Sequence, residues 1–272
     1  MKVLIAIVLY RCGINESDSI KAITEYIDLH SKSNNVEIHI FDNGEKEQIN
    51  KSDKLIYHAN CKNCYLSENY NKALTYCLNN NVDWLVLLDQ DTMCPREYLD
   101  IIFNGNLDEK KAAYVPKIQS PDGTKIAPYT IGIGFKKKYK IDNKSKLYSI
   151  NSATILNVKY FYKNVHNFSD EFPLDFLDHW YFHKINSFGG AISLLDVVII
   201  HNLSVANKTH AVSVDRYESI LKSEQKFMYC ELKTWDRVFY KFNLIKRYIK
   251  WRIKNMPVYA NIVKKFIFTK YL

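Results

Sequence analysis

No apolar run in this 272-residue chain reaches the ~18–20 residues that cross a bilayer as a helix. Glycine and proline are sparse, at 8 and 6, which excludes a collagen-like or low-complexity chain. The first apolar run is followed by a single glycine, Gly13, so the glycine-rich phosphate loop that a nucleotidyltransferase-like domain carries there is missing. Cysteine offers one C-x-x-C pair, Cys61 and Cys64, with no second pair and no histidine pair at zinc-finger spacing. A structural zinc site needs four ligands, so free thiols in a reducing compartment are the expectation. Residues 1–10 are too short for a secretory leader and end at Arg11, which favours a buried first strand and a cytoplasmic location.

Charge excess is missing from most of the chain as well. The net charge is +9. Residues 235–272 hold ten Lys/Arg and one Asp, and residues 1–234 hold 28 basic and 28 acidic side chains. The body is neutral and the tail carries the whole excess, so an anionic surface met by the tail is expected and a nucleic-acid groove across the body is not.

What is present is an alternation of strands and helices. Residues 3–10 are continuously apolar, the pattern of a strand covered on both faces. Ser17 or Asp18 caps a predicted helix running to about His30, with Ile20, Ile23, Ile27 and Leu29 as its apolar positions. Residues 36–41 alternate and stop at Asp42-Asn43-Gly44, a turn signal. A short strand over 54–57, a helix over 67–78 and a buried strand over 84–88 follow. The last of these ends on Asp89-Gln90-Asp91. Such alternation predicts a largely parallel α/β sheet with its ligand site at the carboxyl ends of the strands. Beyond it, residues 116–134 read as loops and strands, 136–146 as a basic polar segment, 158–163 and 175–187 as helices, and 191–195 and 197–200 as strands leading to His201.

In the tail, Val238, Phe242, Ile245, Ile249 and Ile253 recur at helical spacing and line one face, with Arg247, Lys250 and Lys254 on the far side. Pro257 ends or kinks that helix. Two readings stand: a helix packed through the apolar face with a solvated basic back, or an interfacial contact with an anionic membrane.

Chemistry concentrates in four places. Asp89 and Asp91 put hard oxygen ligands just past a buried strand, which suits Mg²⁺ or Mn²⁺ bridging a diphosphate; a plain helix-capping acid pair is the alternative. Asp42 can accept the imide N–H of uracil or thymine, or merely close an ordinary turn. Asp175 and Asp178, three apart, fit a general base at a helix start or simple N-capping. His201 ends the last apolar strand, as a third metal ligand or a structural histidine.

The order of these features resembles a known family. Val8-Leu9-Tyr10, Phe41-Asp42-Asn43-Gly44, Asn60 with Asn71, Leu87-Leu88-Asp89-Gln90-Asp91-Thr92, Asn151-Ser152-Ala153, Leu174-Asp175-Phe176-Leu177-Asp178 and Ile200-His201 fall in sequence. Together they are similar to family-two glycosyltransferases of the GT-A fold, most of all the bacterial rhamnosyltransferase-like group, over residues 2–204. The resemblance implies a GT-A α/β domain, set at 1–220, and the apolar spacing and charge of the rest give a C-terminal helical basic and aromatic tail at 221–272. It implies inverting transfer of a sugar, rhamnose from dTDP-rhamnose as the first expectation, to a hydroxyl of a growing bacterial cell-surface glycan on a lipid-linked or glycan acceptor. The alternatives are transfer from a UDP-sugar and an inactive binding subunit.

Residue by residue, Asp42 would meet the base, beside a pocket lined by Leu9, Tyr10 and Arg11. Asn71, Asp89 and Gln90 would face the donor, and Asp91 and His201 would hold Mg²⁺ or Mn²⁺. Asp178 would be the catalytic base, with Asp175, His179 and Trp180 on the acceptor side. The chain departs from many relatives at Trp180, where they carry Glu, at Lys184, where they carry Arg, and at Tyr70, where they are often basic. No nucleic-acid partner is implied, and the expected place of work is the inner face of the plasma membrane.

Overall fold

The computed structural model describes residues 1–30, 35–48, 52, 54–132, 136–139, 141, 146–201 and 212–268. Residues 140 and 142–145 of the basic segment lie outside that set. The chain divides into two compact units, Met1–Tyr129 with Lys146–Asn202, and Thr130–Ser145 with Leu203–Leu272.

The first unit is built on one mixed sheet. Strands β1 (Val3–Leu9), β2 (Val36–Asp42), β3 (Ile56–Ala59) and β4 (Trp84–Asp89) run parallel in the order β3-β2-β1-β4. Every residue of β1 is buried, as a strand sandwiched between helical layers must be. The helices between them are α1 (Asp18–His30) and α2 (Ser67–Asn79). In α1, Ile20, Ile23 and Ile27 are among the buried positions, the 3.6-residue stripe expected of a helix laid on a sheet. Leu29, expected with them, is exposed, because at roughly 100° per residue it falls on the side opposite Ile20.

The sheet then changes direction. β10 (Thr154–Asn157) joins β4 antiparallel, β6 (Ala113–Gln119) joins β10 antiparallel, and β11 (Ile192–His201) joins β6 parallel. β5 (Thr92–Met93) closes the edge antiparallel to β11, and β7 (Lys125–Ala127) pairs with β6. β1, β2, β3, β4, β6 and β11 therefore all point one way, and their carboxyl ends share one edge. The remaining helices of this unit are α3 (Arg96–Asn104), α4 (Val158–Asn164) and α5 (Leu177–Ser187). One irregularity has a local cause. Pro116 sits inside β6 and has no N–H to give the ladder. The β6–β11 register shifts opposite it, between Leu194 and Val198, so what reads as two short strands is one bulged strand.

The second unit contains a small hairpin, β8 (Thr130–Gly132) with β9 (Lys136–Lys138), and the helices α6 (Val214–Cys230), α7 (Thr234–Ile253) and α8 (Pro257–Phe268). Pro257 opens α8, where a missing N–H costs nothing. The core of these helices reverses the first of the two readings of the tail. α7 packs through Tyr240 and Leu244, fully buried against Leu221, Met228 and Val263. Arg247 turns inward and grips the buried Glu224 with both guanidinium nitrogens, one at 2.7 Å. Trp251 Nε1 donates to Tyr217 Oη at 2.9 Å. The apolar stripe read as the packing face, Val238, Phe242, Ile245, Ile249 and Ile253, is exposed. An aromatic-rich side anchored by one half-buried ion pair has been used for the core instead of the aliphatic one.

Candidate active site

The carboxyl edge of the sheet gathers the residues with chemistry. β4 delivers Asp89 at its last position, and β5 starts soon after it at Thr92. Because β5 pairs with β11, Thr92 lies opposite His201. The ladder thus carries His201 across the sheet to the acidic motif. The imidazole stands between the two carboxylates: Nε2 is 3.8 Å from Asp89 Oδ2, and Nδ1 is 3.8 Å from Asp91 Oδ1. One ligand atom from each residue falls within 4.8 Å of the others, and no second such group exists among the described residues.

This trio fits a divalent cation. His201 Nδ1 is buried without a hydrogen-bond partner, an expensive state that a ligand bond or a water would relieve. Two carboxylates and an imidazole are a donor set that suits Mg²⁺ or Mn²⁺. Ligand atoms around such an ion sit at most about 4.2 Å apart, twice a ~2.1 Å bond, so a contraction of a few tenths of an ångström closes the set.

The backbone of the motif is clamped from two sides. Ser17 Oγ donates to the Gln90 carbonyl at 2.8 Å, and Ser19 Oγ lies against the carbonyls of Asp89 and Thr92. On the other side the Asp89 N–H donates to Ser152 Oγ at 3.2 Å, and Ser152 also hydrogen-bonds Thr92 Oγ1. Ser152 stands just before β10, preceding Ala153, whose φ of 62° is unusual for a side chain with a Cβ. Arg11 (φ 52°) and Phe176 (φ 64°) are left-handed too. Non-glycine residues held in that region cost of order 1 kcal/mol or more and concentrate at functional sites.

Beside the motif, Gln90 Oε1 accepts from the Tyr10 N–H at 2.8 Å, tying the end of β1 to the acidic turn. Leu9 is fully buried in the core, while Tyr10 is exposed with the Arg11 guanidinium 5.1 Å over its ring. Asp42, at the end of β2, is only 2% exposed. Its Oδ2 accepts from Tyr57 Oη at 2.6 Å and from Gln48 Nε2 at 2.8 Å, and its Oδ1 accepts from the Gly44 N–H at 2.8 Å. Gln48 also bonds the Cys12 carbonyl and the Ile14 N–H. In this structure an amide N–H of the protein occupies Asp42.

Asn71 is spent differently. Its amide donates to the Phe168 carbonyl at 2.9 Å and accepts from the Phe168 N–H at 2.8 Å, which latches α2 to the segment leading into α5. Tyr70 next to it is fully buried with no partner for its hydroxyl. Burial, together with the nearby Asp89, Tyr181 and Asp178, holds its hydroxyl well above the usual phenol range.

Asp175 precedes α5, and the left-handed Phe176 turns the chain so that Asp178 falls in the first helical turn. Asp178 Oδ1 accepts from both the backbone N–H and the ring of His179, each at 2.7 Å. A carboxylate only accepts, so Nδ1 of His179 carries the proton. Its Nε2 then accepts from Tyr129 Oη at 2.9 Å. His179 thus orients Asp178 from behind. The two departures on α5 form one pair: Lys184 Nζ lies 5.6 Å above the Trp180 ring, one helical turn away. Sequence reading missed Tyr129 and the pairing of the two α1-end serines with the motif, because their partners lie far away in the chain, and Gln48, which stands near Asp42 but in a loop without periodicity. Asn151-Ser152-Ala153 and Thr92 were visible as motif neighbours.

Asp89 has a consequence for pH. Burial pushes its carboxyl up to about 6; His201 opposes the rise, and the Asp91 and Asp178 carboxylates add to it. A proton then competes with a cation for Asp89 as pH falls through about 6. For folding the sign is fixed by the raised folded value. Between about 4 and 6 the folded chain holds a proton that the unfolded chain has released, so this group's contribution to stability declines as pH rises across that window. The rise in melting temperature on adding Mn²⁺ should therefore be small at about pH 5 and grow to its full size by about pH 7.5. A thermal-shift series that is flat with pH would remove Asp89 from the ligand set.

No protein-family model matches the chain, and no curated protein sequence does. Among solved structures it is similar to GalNAc-T7, determined with UDP, GalNAc and Mn²⁺. The TM-score is 0.55 at 10% identity, over 83% of this chain and 50% of that one. The chain spans about half the length of that neighbour. At such identity the likeness is one of fold. The fold is GT-A: a curled, mostly parallel α/β sheet with its acidic motif at the carboxyl edge, accompanied here by a C-terminal set of helices.

Proposed function

We propose that the chain is an inverting, metal-dependent glycosyltransferase that takes a sugar from a nucleotide diphosphate donor. The observation that carries this reading is the Asp89, Asp91 and His201 cluster at the carboxyl edge of a GT-A sheet. Asp91 and His201 would hold Mg²⁺ or Mn²⁺, with Asp89 completing the set or facing the donor sugar. When bound, the cation supplies stabilisation of the negative charge that gathers on the departing diphosphate.

The remaining steps belong to the chain's own side chains. Asp178 takes the proton from an acceptor hydroxyl, held in orientation by His179 and Tyr129. The freed oxygen forms a bond to the anomeric carbon from the side opposite the diphosphate, which leaves with the electron pair of the breaking C–O bond. The configuration inverts. Leu9, Tyr10 and Arg11 would line the base pocket, and the exposed Arg11 guanidinium, just past the end of β1, would offer a positive charge to the diphosphate. The base would exchange its imide N–H for the Gln48 amide now on Asp42, like for like. The motif order supports dTDP-rhamnose as donor and a bacterial surface glycan as acceptor, with Asp175 and Trp180 on the acceptor side. A UDP-sugar is the alternative, since thymine and uracil present the same imide edge and the structural neighbour was solved with UDP.

Calorimetric titration of dTDP, UDP and GDP, each with and without Mn²⁺, tests the proposal. A pyrimidine diphosphate should bind only with the metal, and GDP weakly or not at all. Absence of binding by all three in Mn²⁺ and in Mg²⁺ would reject it.

A further inference from the structure

The stripe on α7 needs an occupant. Trp235 (76% exposed), Val238, Phe242 (56%), Ile245, Ile249 (50%) and Ile253 (79%) all lie open. At roughly 100° per residue they fall within about 60° of one line along the helix. The helix does not require this face for its own core, because Tyr240, Leu244 and the Arg247–Glu224 pair already fix the opposite side. Exposed apolar stripes of this length mark an interaction surface.

The chemistry around the stripe selects the partner. Exposed Lys241 and Arg252 border it on one side and exposed Lys246 and Lys250 on the other. The only carboxylate on α7 is Asp236, in the first turn, about 120° away from the line of the stripe. An acyl-chain boundary covered by anionic headgroups satisfies both parts. Apolar side chains enter the boundary, and long basic side chains reach up to the phosphates. The hairpin of the same unit adds Lys136, Lys137 and Lys138, all exposed. No helix among the described residues is long and apolar enough to cross a membrane, and the contact read from α7 is an in-plane one.

We propose that α7 docks its Trp235–Ile253 stripe on the surface of an anionic lipid bilayer. The inference rests on α7 alone and not on the sugar-transfer reading.

The test is co-sedimentation of the full chain with vesicles of phosphatidylcholine alone and of phosphatidylcholine mixed with phosphatidylglycerol. Wild type should partition onto the anionic vesicles and lose binding in high salt. Phe242→Ser with Ile249→Ser should reduce partitioning roughly tenfold or more. Lys246→Glu with Lys250→Glu should reduce it at least about tenfold on anionic vesicles. All four side chains are solvent-facing, so the melting temperature and Mn²⁺-dependent diphosphate binding should stay at wild-type values, which separates this test from that of the transferase reading. Three results would overturn the proposal: no binding of wild type to anionic vesicles, unchanged binding by both double variants, or a lipid-free dimer in analytical ultracentrifugation that Phe242→Ser with Ile249→Ser dissolves. The last would assign the stripe to a second copy of the chain.

Discussion

Asp178→Asn is expected to lower sugar transfer by about 10²–10⁴-fold while leaving donor binding near its wild-type level. The substitution keeps the shape of the side chain and an oxygen to accept the two N–H groups of His179. What it removes is the capacity to take a proton. The fold should be indifferent, because the amide oxygen still accepts from the His179 N–H in the first turn of α5. The measurement is a pair: turnover with the donor sugar, and calorimetric affinity for the matching diphosphate in Mn²⁺. Near-normal turnover would remove Asp178 from the role of base. Loss of diphosphate affinity together with turnover would mean that the residue holds the donor.

The second large effect is expected at Asp91. Its side chain is 44% exposed, so Asp91→Ala should change the stability of the metal-free protein by no more than about 0.5 kcal/mol. Metal binding is another matter. Residues that only support a ligand already cost about 10–100-fold in affinity when removed, and a direct ligand should cost at least about a hundredfold. The Mn²⁺-dependent part of diphosphate binding should therefore vanish, and with it the thermal shift produced by Mn²⁺. Retention of that shift in Asp91→Ala would place the cation elsewhere and leave the acidic motif as a structural turn.

Both residues could be picked out in the sequence, for a physical reason. Asp91, with Asp89, stands at the end of a wholly apolar run, and a buried strand announces itself by composition alone. Asp178 stands at a helix start after a proline-bearing turn. α1 and β2 were equally legible, since a capping residue and an Asp-Asn-Gly turn mark their ends. α6 was anticipated only as part of a helical tail from residue 221, and not as a helix of its own starting at Val214: it mixes buried Glu224 and Gln225 with its apolar positions, which blurs the periodicity. β10 was also missed as a strand, being four residues long and defined by neighbours on both sides.

The tail shows the limit most clearly. The spacing of apolar residues located α7 and its two faces, but not which face would turn inward. Periodicity states only how a helix is divided. The choice of side depends on whether a partner offers complementary shape and a mate for each buried charge. Here Glu224 of α6 supplied that mate to Arg247, and the aliphatic stripe was left outside.

By itself, the sequence determined the strand–helix alternation, the acidic motif at a strand end and the concentration of charge in the tail, because each is written in neighbouring residues. Only the tertiary structure decided that His201 belongs with Asp89 and Asp91, that Gln48 covers Asp42, and that His179 and Tyr129 stand behind Asp178. His201 and Tyr129 join partners distant in sequence, and His201 reaches the acidic motif because an antiparallel edge strand sets β11 beside it. Gln48 and His179 stand close in the chain to Asp42 and Asp178, but which way their side chains turn follows from the folded backbone, including the left-handed turn at Phe176, and not from any periodicity.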